Sequence, residues 1–116
     1  MNYQVLRNAT NGRILASRVA RATNFVSRGI GLLSRPTVSP DEGLWIDNCG
    51  AVHTVGMRAT IDLYFLDNEQ RVIKIVHAVK PNRLAVTCRS SVAVVELGAA
   101  PELGRDVLAG DRLILE

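Results

Sequence analysis

The sequence predicts a mostly β (α+β) domain: a compact antiparallel β sandwich or barrel with one amphipathic helix near the amino terminus and a short helical turn near the carboxyl end. Three observations carry this expectation. Residues 60–66 and 71–79 alternate with period two across a polar turn, Asp67-Asn68-Glu69-Gln70. Asn11-Gly12 sits between apolar runs, the usual signal of a tight hairpin. Leu15, Val19, Ala22 and Val26 recur at helical spacing, with Arg18, Arg21 and Arg28 opposite them.

In chain order, Tyr3 and Val5 pair with Ile14-Leu15 across Asn8–Gly12 as an opening hairpin. The helix is expected over residues 15–28, capped by Ser17 and stopped by Gly29-Ile30-Gly31. A loop bracketed by Pro36 and Pro40 leads to the short strand Leu44-Trp45-Ile46. The hairpin of residues 60–79 is apolar on both faces, which places it centrally, covered on each side. Residues 92–97 read as another buried strand, Pro101 opens a helical turn through Gly104, and Gly110-Asp111 turns into a closing strand at residues 112–115.

With 116 residues, 47% hydrophobic and 22% charged, one globular domain spanning residues 1–116 is expected, too apolar for intrinsic disorder. No apolar run reaches the roughly 20 residues of a membrane span, and the first residues lack the core of a secretory signal, so a cytoplasmic, non-transmembrane protein is expected. Only Cys49 and Cys88 are present, and reduced thiols are the default for so few. The net charge of +3 conceals a split, because residues 1–40 hold six arginines and no acid. The Arg18, Arg21 and Arg28 face is either a solvated surface or a dock for an anionic partner. Nucleic acid is not an expected partner: aromatic residues are few and no basic strand carries them.

Reactive side chains concentrate in residues 49–62, where Cys49, His53, Met57, Arg58 and Asp62 occur, with Glu42 upstream. A carboxylate orients an imidazole and raises its basicity, so His53 and Asp62 could form an acid/base pair with Arg58 as anion clamp. The bland alternative has Asp62 accepting backbone N–H groups and His53 satisfied in its loop. Cys49, His53, His77 and Cys88 could ligate one zinc ion, but they lack the paired knuckle spacing, and no metal or cofactor is expected. The two cysteines are either small buried hydrophobes or a redox pair, which needs Cα atoms within roughly 7 Å. Gly29-Ile30-Gly31 has no phosphate-binding Lys and follows no strand, so a nucleotide loop is unsupported.

Residues 28–35, Glu42-Gly43-Leu44, Val52–Arg58 and Ile61–Asp67 resemble the domain-of-unknown-function family 192. The similarity continues through Arg71-Val72, Val95-Glu96-Leu97 and Gly110–Leu113, covering residues 15–116. His53-Thr54 and Met57-Arg58 match a branch with Val-His-Thr and Met-Arg, of which Cys49 and Cys88 also look like features. Gln70 stands where the family usually has Gly, and Ala59-Thr60 replaces an aromatic-Pro pair. The resemblance implies a compact, mostly β fold and no established activity; some members lie beside pilus or secretion components. Three functions stay open: a binding module for a small molecule or protein, with its polar site in residues 49–62; a small hydrolase-like or thiol- or metal-dependent enzyme; and an accessory protein of a pilus or secretion system.

Overall fold

A computed structural model describes residues 2–22, 37–52, 54, 57–83, 86–100 and 104–116. Its strands are β1 (Tyr3–Asn8), β2 (Ile14–Ala22), β3 (Glu42–Asp47), β4 (Ala51–Val52), β5 (Ile61–Leu66), β6 (Val72–Val79), β7 (Val86–Thr87), β8 (Ala93–Gly98) and β9 (Leu113–Leu115). Seven form one sheet in the order β6-β5-β8-β3-β2-β1-β9, and β4 pairs with β7 in a second small sheet. The large sheet is mixed, because β2 and β3 run parallel while its other neighbours are antiparallel.

The expected α+β class is therefore corrected to all-β, with no helix among the described residues. The segment read as a helix is β2 as far as Ala22; the rest of it lies outside the described residues. Its apparent helical spacing has a physical origin. Between the pairs Gln4↔Val19 and Leu6↔Ala16, β1 advances two residues while β2 advances three, so a bulge returns Ala16 and Val19 to the same side of the sheet. Val19 and Ala22 of the expected stripe are both buried but in different core clusters, so their helical spacing comes from burial on both faces of β2, and pairing on both its edges overrides the helix propensity of its Ala, Leu and Arg residues. The helical turn expected at Pro101 falls on residues 101–103, which lie outside the described residues, and Gly104 follows with φ +72°, which is not helical. The opening hairpin and the strands expected around residues 44–46, 60–66, 71–79, 92–97 and 112–115 are present.

Both faces of the sheet are buried. Leu6, Val19, Trp45, Tyr64, Val95 and Leu113 belong to one core cluster, to which every strand of the large sheet contributes. That cluster occupies the concave side, for the sheet's two outer strands meet at an Arg71↔Arg112 bridge. Val72 N–H donates to the Asp111 carbonyl at 2.8 Å and Leu113 N–H to that of Gln70 at 3.0 Å, drawing the sheet into a nearly closed barrel. The convex side carries the second cluster, including Leu44, Ile46, Ile61, Leu63, Phe65 and Val94, covered by Val52, Met57 and Ala59. The expectation that residues 60–79 lie centrally holds for β5, buried on both faces, whereas β6 is an outer strand with half its side chains toward solvent.

Gln70 closes the β5–β6 turn with φ +65°, a left-handed conformation that favours glycine. Gln70→Gly should raise stability by about 1 kcal/mol, read as a higher midpoint in urea with an unchanged slope. A midpoint at or below that of the parent would show that the turn carries no strain.

Candidate functional site

Asp62 follows Ile61 at the start of β5 and points to the concave side, where it is 2% exposed. Its Oδ1 accepts the Ala78 N–H at 2.7 Å, and its Oδ2 accepts the Ala100 N–H at 2.9 Å and Arg105 Nη1 at 2.7 Å. Arg105 Nη1 also reaches the Tyr64 hydroxyl at 3.2 Å, while Nη2 donates to the carbonyls of Pro40, at 2.7 Å, and Gly98. Burial pushes the Tyr64 hydroxyl above its ordinary value, so it stays neutral and serves as an acceptor for the guanidinium. His77 Nδ1 is 3.8 Å from Asp62 Oδ1. A bulge in β6 at His77-Ala78 permits this, with Ala78 at φ +54° and its N–H turned onto the carboxylate.

The carboxylate thus ties three parts of the chain together: the β6 bulge, the segment after β8, and Arg105. This is the role anticipated for Asp62 as an acceptor of backbone N–H groups. His53, the imagined acid/base partner, lies outside the described residues. Neither Arg105 nor His77 was singled out as a partner of Asp62 in the sequence. Arg105 is remote along the chain, and no spacing rule connects it to residue 62; the alternation of β6 could have flagged His77 as the imidazole nearest the start of β5.

The other candidates lie on the convex side or its rim. Met57 is buried in the convex core beside Ala59, and Cys49 packs partly buried against the same cluster. Glu42, at the start of β3, is buried and accepts the Ser39 N–H at 3.0 Å. Arg58, between two buried neighbours, is exposed and lines an open cleft of about 290 Å³ with Thr37, Val38, Ala59, Thr60 and Ala99. Glycine at position 98 sets the wall of this cleft, since a Cβ there would overlap the Val38 and Ser39 carbonyl oxygens. The structure brings Glu42 and Arg58 to the same end of the sheet, through residues 37–39, and leaves Asp62 on the opposite face. Among the described residues, no group of three His, Cys, Asp or Glu side chains is placed to hold a metal ion.

Among the described residues, Arg18 and Arg21 do not share the helix face expected of them. Arg18 and Arg21 project from a strand to opposite sides: Arg18 stacks over the Tyr3 ring at 4.8 Å, and Arg21 over the Trp45 ring at 5.8 Å. Arg21 also makes a two-pronged pair with Asp47, at 2.7 and 2.9 Å, whose bonds hold the Asp47 carboxyl below its ordinary value. Arg28 lies outside the described residues.

Residues 6–115 match the model of DUF192, described as an uncharacterized ACR. The chain belongs to this family. Two solved structures share the fold of this DUF192 chain. One is a protein from Sinorhizobium meliloti 1021 described as a putative transcription regulator, with a TM-score of 0.78 at 24% identity over 99% of this chain and 96% of the other. The second, of unknown function, is from Novosphingobium aromaticivorans DSM 12444, with a TM-score of 0.75 at 19% identity over 96% and 83% of the two chains. At such identities the likeness concerns the fold alone. No curated protein matches the chain. No helix among the described residues is long and apolar enough to cross a membrane.

Proposed function

We propose that this DUF192 chain is a binding module whose ligand carries a compact anionic group, a carboxylate or a phosphate, and seats it against Arg58. The observation that carries the reading is Arg58 itself. It is an exposed guanidinium at a cleft of about 290 Å³, between the hydroxyl-bearing residues Thr37 and Thr60. Among the described residues it has no ion-pair partner. A guanidinium fork matches the two oxygens of such a group, and the neighbouring hydroxyls add donors. Glu42 braces Ser39, the neighbour of the cleft-lining Val38, by accepting its N–H at 3.0 Å.

The acid/base alternative draws less support from the same geometry. Both oxygens of Asp62 are occupied by short donors inside the barrel, and the exposed His77 imidazole beside it stands 3.8 Å from Oδ1, beyond hydrogen-bond distance. An accessory role beside pilus or secretion components is compatible with a small binding module and rests on the family resemblance only.

Thermal unfolding in the presence of inorganic phosphate and of succinate tests the proposal, because a ligand that binds only the folded state raises the midpoint with concentration. At least one probe should do so for the wild type, and Arg58→Gln should lose the response while keeping the ligand-free midpoint. No response from the wild type to either probe, or an equal response from Arg58→Gln, would overturn it.

A further inference from the structure

From the register of the small sheet we infer that Cys49 and Cys88 form a peroxide-responsive dithiol, closing to an intramolecular disulfide. The pairs Ala51↔Thr87 and Val52↔Val86 define an antiparallel ladder, and the Cys88 N–H donates to the Gly50 carbonyl at 3.0 Å, extending it by one step. Cys88 therefore lies beside Gly50, and Cys49 is one residue from direct opposition. Strand spacing and rise put the two Cα atoms roughly 6 Å apart, within the range a disulfide spans.

Strict alternation would point the two side chains to opposite faces, but Cys49 lies outside β4 and follows Asn48, whose φ is +52°. Both cysteines pack, partly buried, against the same convex core cluster. Ser91 braces the pair: its Oγ lies 2.8 Å from the Ala93 carbonyl oxygen and 3.1 Å from that of Cys49, and its N–H donates to the Cys88 carbonyl at 3.1 Å. Neither cysteine is in a disulfide: the Cys49 thiol donates to the Ala51 carbonyl at 3.1 Å, and neither residue is sealed from solvent, so a small oxidant can reach them.

The chemistry needs one oxidant, a hydroperoxide. One thiolate attacks the O–O bond, giving a sulfenic acid and releasing water from hydrogen peroxide after protonation. The second thiolate then attacks the sulfenyl sulfur, the S–S bond forms, and hydroxide leaves to become the second water. Two electrons pass from the sulfurs to the peroxide, and both thiol protons end in water. An external dithiol reverses the step by exchange. The new bond would tie β7 to the chain leaving β3. Lys74 Nζ already reaches the Thr87 carbonyl at 2.7 Å, and Arg83, Val86 and Thr87 wall a second cleft of about 410 Å³ against β6. Oxidation would fix that wall in place.

Intact-mass measurement after treatment with one equivalent of hydrogen peroxide tests the inference on the whole chain. The monomer should lose the mass of two hydrogen atoms, and a digest should yield a linked peptide containing both Cys49 and Cys88. The thermal midpoint should rise by about 5 °C or more, because the crosslink closes a long loop, and should return to its starting value after dithiothreitol. Cys88→Ser should gain oxygen instead and show no such rise. Two thiols still titratable after treatment, a disulfide-linked dimer as the main product, or sulfinic acid on either cysteine of the wild type without a linked peptide would each overturn the inference.

Discussion

Replacing Asp62 by alanine should destabilise the protein by about 3–5 kcal/mol, because it removes one member of a buried ion pair and leaves the other without compensation. Arg105 is the group left behind. Its side chain is 6% exposed, and with Asp62 gone it keeps only the Tyr64 hydroxyl and carbonyl acceptors around a charge held away from water. The Ala78 and Ala100 N–H groups lose their acceptor in the same step, and an unsatisfied buried donor costs about 1–3 kcal/mol on its own. Asp62→Asn should be milder, since the amide keeps one acceptor oxygen while losing the charge. Urea unfolding of the three proteins provides the check. A loss below about 1 kcal/mol for Asp62→Ala would mean that the carboxylate is not structural, and a role for it in surface chemistry would regain its footing.

Val19→Asp should unfold the domain. Val19 is 0% exposed among Leu6, Trp45 and Leu113 on the concave side, where a carboxylate would stand among apolar side chains. A lone buried charge costs more than the roughly 5–15 kcal/mol by which domains are normally stable, unless it is neutralised or drawn to the surface at the expense of packing. Loss of the cooperative transition in near-ultraviolet circular dichroism is the expected observation. Arg18→Gln, one residue away, removes only an exposed stacking contact with Tyr3 and should change stability by less than about 0.5 kcal/mol. A cooperative transition for Val19→Asp near that of the parent would show that β2 does not line the core.

The strands were legible wherever alternation was regular and burial two-sided. Residues 61–66 alternate without interruption, pair with β8 in continuous register, and are all buried, so their pattern in sequence is their pattern in space. Bulges defeated the same reasoning in β2. One extra residue there shifts the phase of alternation, and nothing local in Ser17-Arg18 announces it, because the bulge depends on how β1 lies alongside. The parallel pairing of β2 with β3 was invisible for a related reason: it joins strands far apart in the chain, and neither strand's own pattern encodes its neighbour's direction. At the candidate site, residue types were informative and grouping was not. Asp62 and Arg58 are four positions apart, yet one points into the barrel while the other rims a cleft on its outside. Alternation along a strand places residues 58 and 62 on one face only if the strand begins before Arg58, and β5 begins at Ile61.

The pairing of β1 with β9 gives the fold a particular order of assembly. Leu6 lies opposite Leu115 and Asn8 opposite Leu113, and Val5 and Glu116 exchange backbone hydrogen bonds at 3.0 and 2.8 Å. During synthesis the first of these strands emerges from the ribosome long before its partner exists. Through that interval the hairpin of β1 and β2 carries a bare edge, and the apolar groups meant for the barrel interior have no lid. Because β9 follows every other strand of the sheet in the chain, the ring closes on a contact of high sequence separation, the kind that forms slowly.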